Sequence, residues 1–248
     1  WIDEIGPMRL TEGYKIRVSG STSLTLVGQP VTLPMDIPLE AGWNIIGYPS
    51  VISQSSSDVF GPLISSGTLL KVQDEAGAAI EQVGGEWLYG FTSAEPGEGY
   101  RVKVNTNTVL IIYPGTKGKI LSAEKTTTRP IHFIPAYTGN GLDHMNIYIE
   151  RPEGKTVLST GDEIGVYDGD LCVGSFVINE ESGKYISVTV SYDDPETVVK
   201  DGFIEGNTIL LRLWDSETGE EKPLEKIEVV KGHGMVFERM WTVVLKAE

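Results

Sequence analysis

Short stretches of alternating apolar and polar residues, separated by turns rich in glycine and proline, recur along most of this 248-residue chain. In residues 100–104, for example, Tyr100, Val102 and Val104 alternate with basic residues. Such alternation predicts a strand with one buried and one solvated face. A polar run at residues 53–57 is expected to cap one short helix over residues 58–65. Other short strands are predicted in this half of the chain at residues 38–49, 69–73, 80–83, 87–91 and 109–113.

Seven further strands are predicted after residue 130. Apolar runs lie at residues 145–149, 163–167, 171–178, 185–190, 208–214, 227–230 and 241–245. Seven short strands joined by hairpin turns within about 120 residues are typical of a β-sandwich. The sequence therefore predicts an all-β chain with at most one short helix, ending in an immunoglobulin-like or carbohydrate-module-like β-sandwich.

One segment of the chain repeats another at a spacing of 86 residues. Residues 11–18 (TEGYKIRV) match residues 97–104 (GEGYRVKV), with six of the eight positions identical or alike in charge. At the same spacing, Trp1 aligns with Trp87. A fixed long period is typical of tandem modules.

The repeat predicts the domain organisation. Residues 1–36 are expected to be the C-terminal part of a truncated first module, and residues 37–122 a complete, β-rich second module. Residues 123–130 are predicted to be a linker, and residues 131–248 the β-sandwich. We therefore expect the chain to belong to a larger modular protein.

Acidic side chains outnumber basic ones by 35 to 20, which gives a net charge of −15. Such a surface repels phosphate backbones, so nucleic acid is not an expected partner. Residues 125–248 carry 22 acidic and 12 basic side chains, against 13 and 8 in residues 1–124, so the second half is the better host for cations. No apolar run approaches the roughly 20 residues that span a membrane, and membrane insertion is not expected.

The segment GDEIGVYDGDLCVG at residues 161–174 resembles a known kind of protein module. Together with residues 143–146, 193–195 and 201–203, it is similar to an accessory module recurrent in large secreted proteins of Bacteroidota and related bacteria. There it often accompanies segments like AGWNIIGYP at residues 41–49, near the C-terminal end of exported enzymes or adhesins. The resemblance implies an extracellular or cell-surface bacterial protein with neighbouring modules in the same polypeptide. It implies no particular activity.

Sequence motifs of catalytic sites are absent. The chain has neither a Gly-x-Ser-x-Gly elbow nor a Walker loop. The three histidines, His132, His144 and His233, lack the spacing of zinc ligands. Cys172 is the single cysteine and lies in an apolar run typical of a buried, inert thiol. We expect no enzymatic activity.

Two acidic segments have the oxygen-rich composition that calcium requires. One contains Asp168 and Asp170, and the other combines Asp193, Asp194 and Asp201 with Asn207. Calcium binds six to eight oxygens from Asp, Asn and backbone carbonyl groups. Tight hairpins and Asp-initiated turns use the same residues, so calcium is a hypothesis here, and no other cofactor is expected.

Exposed aromatic rings would mark a polysaccharide-binding surface, because sugar rings stack their C–H faces on Trp and Tyr. Trp87 and Tyr89 follow a Gly-Gly turn, and Tyr137 lies in a polar loop with Asn140 and Asp143. These five residues are the candidate ligand-binding residues. The alternative is that the aromatic rings close the ends of the domains.

Two functions remain open. The leading hypothesis is a non-catalytic extracellular binding or adhesion module, with a polysaccharide as its ligand. The alternative is a structural spacer without a ligand. Exposure of aromatic rings on one face would distinguish the two, and Trp43 and Trp214, within alternating apolar runs, are predicted to be core.

Overall fold

The structure, a computed structural model, describes residues 6–18, 20–25, 27–115, 130–137, 139–151, 158–180 and 182–247. Its elements are short strands with one helix, which confirms the all-β prediction. The chain divides into two compact units: unit 1 contains residues 1–75 and 79–124, and unit 2 contains residues 76–78 and 125–248. All of the predicted linker except its last residue, Pro130, lies outside the described residues.

Unit 1 contains the helix and the first nine strands. The described residues before Met35 form neither helix nor strand. The elements are β1 (Met35–Leu39), β2 (Gly42–Gly47), β3 (Gln54–Ser55), α1 (Ser56–Ser65), β4 (Leu69–Gln73), β5 (Ala79–Val83), β6 (Glu86–Tyr89), β7 (Ser93–Ala94), β8 (Gly99–Val104) and β9 (Thr108–Ile112).

A five-stranded antiparallel sheet in the order β2-β8-β4-β5-β6 organises unit 1. Two small sheets, β1-β9 and β3-β7, complete it. Along β8, Tyr100, Val102 and Val104 are buried while the basic residues between them are partly exposed, as the alternation predicts. The ring of Phe60 in α1 packs on Tyr100 with centroids 5.7 Å apart, so the helix covers the inner face of the sheet.

Helix α1 occupies the predicted place and begins two residues earlier than expected. The Ser55 hydroxyl caps it by accepting a hydrogen bond from the Ser57 backbone N–H. Gly61 and Pro62 both lie inside the helix, although each lowers helix propensity. Burial of one helix face against the sheet stabilises a segment that would be marginal by itself.

The described residues of unit 2 form eight strands, one more than predicted, because the short β15 was missed. They are β10 (Met145–Glu150), β11 (Glu163–Asp168), β12 (Leu171–Val177), β13 (Tyr185–Val190), β14 (Ile209–Trp214), β15 (Glu221–Pro223), β16 (Ile227–Lys231) and β17 (Thr242–Ala247).

The eight strands form two four-stranded sheets, in the orders β13-β10-β17-β16 and β12-β11-β14-β15. The β10–β17 pairing is parallel, and the other pairings of the two sheets are antiparallel. Apolar residues from both sheets share one core, which also takes in the stacked rings of Phe203 and Phe237. This arrangement has the character of a β-sandwich.

Three buried carboxylates at the ends of β11 hold the neighbouring segments. Glu163 accepts hydrogen bonds of 2.8–3.2 Å from the backbone N–H groups of residues 131–133. Asp162 accepts hydrogen bonds from the backbone N–H groups of Ser159 and Ser216 and from the Ser216 hydroxyl. The third, Asp168, is described with the site below. Each carboxylate replaces its lost hydration with several N–H donors, which is the condition for burying an ionised group.

The segment held by Glu163 covers the outer face of β11. Phe133 is buried there, and a Cβ atom added to Gly165 would lie 2.7 Å from its ring. Glycine is therefore required at the point where Phe133 crosses the strand. Because this segment covers one face and the core covers the other, all six residues of β11 are buried.

Replacing Glu163 by Gln should lower the free energy of unfolding of unit 2 by about 1–3 kcal/mol. In the variant, the side-chain NH₂ group would face backbone N–H donors. In the original chain these donors bond to carboxylate oxygens. Urea unfolding monitored by tryptophan fluorescence measures the change. Glu217→Gln, at an exposed position, is the matched control and should change stability little. Equal effects of the two substitutions would contradict the anchoring role of Glu163.

Candidate functional site

The structure assigns the five candidate ligand-binding residues to two different units. Trp87 and Tyr89 lie on β6 of unit 1, and Tyr137, Asn140 and Asp143 lie in a loop of unit 2. Trp87 packs against the core of unit 1, whereas Tyr89 is 37% exposed. A ring that fills the edge of a core has little surface left to receive a sugar.

The loop of unit 2 is packed down onto the sandwich. The Asn140 carbonyl oxygen accepts a 2.6 Å hydrogen bond from Nε2 of the buried His144, and the backbone of Leu142 bonds to Ser191. Tyr137 is half-buried: burial, and then the neighbouring Cys172, raise the pKa of its hydroxyl. The Tyr137 side chain is therefore only partly accessible to solvent.

Asp143 and Cys172 also have structural surroundings. The Asp143 carboxylate lies 3.9 Å from the guanidinium of Arg239, and its backbone has a positive φ of 41°. Cys172 is half-buried, its Sγ lies 3.5 Å from the Gly174 carbonyl oxygen, and burial raises the pKa of its thiol. A raised thiol pKa opposes formation of the nucleophilic thiolate.

The six candidate calcium ligands fall into three groups. Asp168 and Asn207 lie together, because the Asn207 amide donates a 2.7 Å hydrogen bond to Asp168 Oδ1. Asp193, Asp194 and Asp201 share one turn. Asp170 is fully exposed, with Arg212 at 3.9 Å.

Asp168 is surrounded by donors rather than by oxygen ligands. Lys200 Nζ lies 2.8 Å from its Oδ2 atom, and the Ile204 backbone N–H donates to the same oxygen at 2.9 Å. Burial acts to raise the pKa of Asp168, but the hydrogen bonds from Lys200, Ile204 and Asn207 outweigh it and leave the pKa below its ordinary value. The ammonium group of Lys200 thus supplies the positive charge that a cation would bring.

The acidic turn is closed by its own backbone. Asp193 Oδ1 accepts hydrogen bonds from the backbone N–H groups of Asp201 and Gly202, and Asp194 Oδ1 accepts one from Glu196. Within the parts of the chain that the structure describes, no three His, Cys, Asp or Glu side chains come together as a metal site.

The three histidines each belong to a separate pair with a nearby acceptor. His132 Nε2 lies 3.0 Å from Glu221 Oε2, His144 bonds to the Asn140 carbonyl, and His233 Nδ1 lies 3.0 Å from Glu238. The ring of His132 also stacks on Trp214 at 5.0 Å. Trp214, predicted to be core, therefore lies on the outer face of its sheet, beside Glu163 in the β11–β14 register.

Trp43 is exposed on a strand to the same extent as Tyr89. It lies on β2, is 37% exposed, and has Ile45, 43% exposed, two residues further on the same face. Across the strand pair, Trp43 is opposite Lys103 and Ile45 is opposite Arg101. We call these four residues the Trp43 surface.

A row of charged residues continues from this surface across the sheet. Lys103 Nζ lies 5.4 Å from the centroid of the Trp43 ring, which is a cation–π contact. In the next strands, Lys71 is opposite Lys103, and Glu81 is opposite Lys71. Lys71 and Glu81 are buried and form an ion pair of 3.2 Å. Across the strands, Trp43 is therefore followed by the ammonium groups of Lys103 and Lys71 and then by the carboxylate of Glu81.

The prediction that Trp43 is core was wrong, and Asn44 explains why. Asn44 Oδ1 accepts a hydrogen bond from the Glu40 backbone N–H, and its Nδ2 donates to the Glu40 carbonyl oxygen. These bonds turn Asn44 towards the inner side of β2 and place Trp43 outside. The signal that could have identified Trp43 is its register with Lys103, a residue already predicted to be on the solvated face.

No known protein family, curated protein or solved structure matches this chain. Among the described residues, no helix is both long enough and apolar enough to cross a lipid bilayer.

An excess of chelator should leave the thermal midpoint of unit 2 unchanged, because the oxygens of Asp168 and Asp193 already face N–H donors. A cation bound only by the folded state would raise the midpoint by mass action, and its removal would lower it. Calorimetry with EDTA, and separately with added calcium, measures this. A midpoint that falls with EDTA and returns with calcium would restore the calcium hypothesis.

The lowered pKa of Asp168 predicts how stability depends on pH. A carboxylate with a lower pKa in the folded than in the unfolded chain stabilises the fold above about pH 4. That contribution is lost as pH falls through the folded-state pKa, because the unfolded chain then binds more protons. Urea unfolding between about pH 2.5 and pH 6 should show a shallower pH dependence for Asp168→Asn than for the original chain. If the variant and the original chain had parallel pH profiles, Asp168 would have the same pKa in the folded and the unfolded chain.

Proposed function

We propose that this chain is a non-catalytic, extracellular binding module whose ligand is a glycan bound at the Trp43 surface. One observation carries the proposal: an indole ring and an aliphatic side chain, two residues apart on the same face of a strand, point outward, and each is opposite a basic side chain. Flat apolar rings with polar groups beside them suit sugars, which have apolar C–H faces and a polar rim.

The basic residues favour an anionic glycan. Lys103 lies over the Trp43 ring, so a neutral sugar would have to displace its ammonium group in order to stack there. A sugar carrying a carboxylate or sulfate group would instead pair with that ammonium group while lying against the indole. Uronate-containing and sulfated polysaccharides are therefore the proposed ligands.

The repeat supports the same ligand class. Lys15 and Arg17 occupy the positions equivalent to Arg101 and Lys103 at the spacing of 86 residues, and both are exposed. These four residues are half of the eight basic residues in residues 1–124 of an otherwise acidic chain. Basic charge repeated at the same positions of the two copies would suit a polymer that carries regularly spaced anions.

The absence of catalysis is part of the proposal. It is supported by the separate pairing of the three histidines and by the raised pKa of the Cys172 thiol. The extracellular location is proposed from the sequence resemblance of residues 161–174 and 41–49.

A structural spacer is the second candidate. It is favoured by the packing of Trp87 against the core and by the half-buried position of Tyr137, since neither ring forms an open platform. The two candidates differ in what the intact protein does on a polysaccharide matrix.

The Trp43→Ala variant should bind a polyuronate gel about fivefold or more weakly, because a stacking aromatic residue contributes on the order of 1 kcal/mol or more. Affinity electrophoresis on polyuronate and on neutral starch gels measures retention. Lys103→Gln should weaken binding to polyuronate selectively. Tyr113→Ala removes another exposed aromatic ring of unit 1 and should bind normally.

Melting curves separate loss of the site from loss of the fold. Trp87→Ala should destabilise unit 1 more than Trp43→Ala does, because Trp87 packs against the core. Passage of the intact protein through every gel without retardation would contradict glycan binding and support the spacer. Retention that survives Trp43→Ala would place the site elsewhere.

A further inference from the structure

The 86-residue repeat extends to the hydrogen bonds of one side chain. The Tyr100 hydroxyl accepts a 2.9 Å hydrogen bond from the Glu95 backbone N–H and donates one of 2.7 Å to the Glu98 carboxylate. The Tyr14 hydroxyl accepts a 2.8 Å hydrogen bond from the Arg9 backbone N–H and donates one of 3.0 Å to the Glu12 carboxylate. We call this pair of hydrogen bonds the tyrosine bridge.

Each atom of one bridge has its counterpart 86 residues away, because Arg9, Glu12 and Tyr14 correspond to Glu95, Glu98 and Tyr100. The backbone around Tyr14 therefore has the local conformation that begins β8 in the complete module. It has this conformation although the described residues before Met35 form no strand.

The apolar residues that follow the two bridges differ in burial. Val102, Val104 and Leu110 are at most 1% exposed. Their counterparts are Ile16, Val18 and Leu24, which are 62%, 53% and 64% exposed. The two segments thus share a sequence pattern and a local hydrogen-bonding geometry but differ in whether another part of the polypeptide covers them.

In the complete module, most of the covering elements precede β6. Strands β2 and β4 flank β8, β1 pairs with β9, and α1 packs against the same core. These elements lie within residues 35–83. What Ile16, Val18 and Leu24 lack is therefore a strand–helix–strand segment of that pattern.

One edge contact shows how adjacent modules can join. The Gly13 backbone N–H donates a 3.0 Å hydrogen bond to the Ile45 carbonyl oxygen of β2, which is the edge strand of the five-stranded sheet. A Cβ atom added to Gly13 would lie 2.6 Å from the Ile46 carbonyl oxygen, so the approach requires glycine. The first copy thus contacts the second through its backbone, and Ile16, Val18 and Leu24 remain exposed.

We infer that the apolar residues of the first copy, Ile16, Val18 and Leu24, form a docking surface for a polypeptide segment with the pattern of residues 35–86. Docking would add the strands and helix that bury their counterparts, and would complete a second module beside the first. The partner is identified by its pattern: a Gly-bounded apolar strand, a Ser-capped helix and a central strand, as in β2, α1 and β4. This inference is independent of glycan binding.

The test joins a second copy of residues 35–86 directly to Trp1 of the full chain. Because Trp1 aligns with Trp87, this junction continues the 86-residue period without insertion or deletion. Hydrogen–deuterium exchange with mass spectrometry measures protection of the backbone amides of residues 14–18. These amides should exchange about tenfold or more slowly in the fusion than in the original chain, since a docked strand is protected from local opening.

A matched fusion carries Ile46→Asp and Val72→Asp in the added copy only, which removes two fully or nearly buried apolar side chains from its expected core. It should leave residues 14–18 exchanging as fast as in the original chain. Equal protection in the two fusions would overturn the inference, because contact would then not depend on a completed core. The inference would also be overturned if residues 14–18 stayed unprotected in the fusion without the Asp substitutions. That outcome includes the case in which circular dichroism shows that the added copy does not fold.

A second copy of the whole chain is the competing occupant of this surface. Sedimentation of the original chain, with hydrogen–deuterium exchange at the same concentrations, tests whether the chain self-associates there. The inference expects residues 14–18 to remain unprotected across the concentration range. Self-association that protects them would show that a second copy of the whole chain covers this surface, and would overturn the inference.

Discussion

Burial of the β11 carboxylates is the constraint on which the sandwich of unit 2 depends. Asp162, Glu163 and Asp168 lie at the two ends of a strand whose six residues are all buried. A carboxylate in such surroundings is tolerated only where donors replace its water, so each one fixes the position of a loop that has no regular structure. The loops at residues 131–133, 159–162 and 204–207 are ordered by charge, and the core beneath them by apolar packing.

The same constraint applies to the acidic residues predicted as calcium ligands. Asp168 and Asn207 were assigned to two different candidate sites, but in the structure the amide nitrogen of Asn207 faces the Asp168 carboxylate and Lys200 lies beside it. Whether a carboxylate meets a metal or an ammonium group depends on a contact between residues 32 positions apart, which spacing along the chain does not reveal. In the turn at residues 193–202, backbone N–H groups take the place of ligands in the same way.

Much of the fold could be predicted because alternation and turn residues are local signals. The seven predicted strands of the sandwich, the alternation along β8 and the capped helix all follow from neighbouring residues. The parallel pairing of β10 with β17 could not be predicted, since it joins strands about 100 residues apart in the sequence. Trp43 points to the side of β2 opposite to Asn44, whose side chain bonds to the Glu40 backbone. Because β2 has apolar residues on both faces, its sequence pattern does not show which face is buried. The surface proposed to bind a glycan therefore became visible only with the cross-strand register.

The tyrosine bridge has a consequence for how a tandem chain of such modules folds. It closes a loop of only five residues, so its entropic cost is small, and it can form as soon as that short stretch has been synthesised. Once closed, it fixes which residue begins the strand, and a slip of one residue, which would turn Val102 and Val104 outward, breaks both hydrogen bonds. It does not select between neighbouring copies, because every copy would present the same shape. In an array of nearly identical modules, that selection depends on proximity along the chain, so the connecting segments, rather than the strands, determine which halves assemble together.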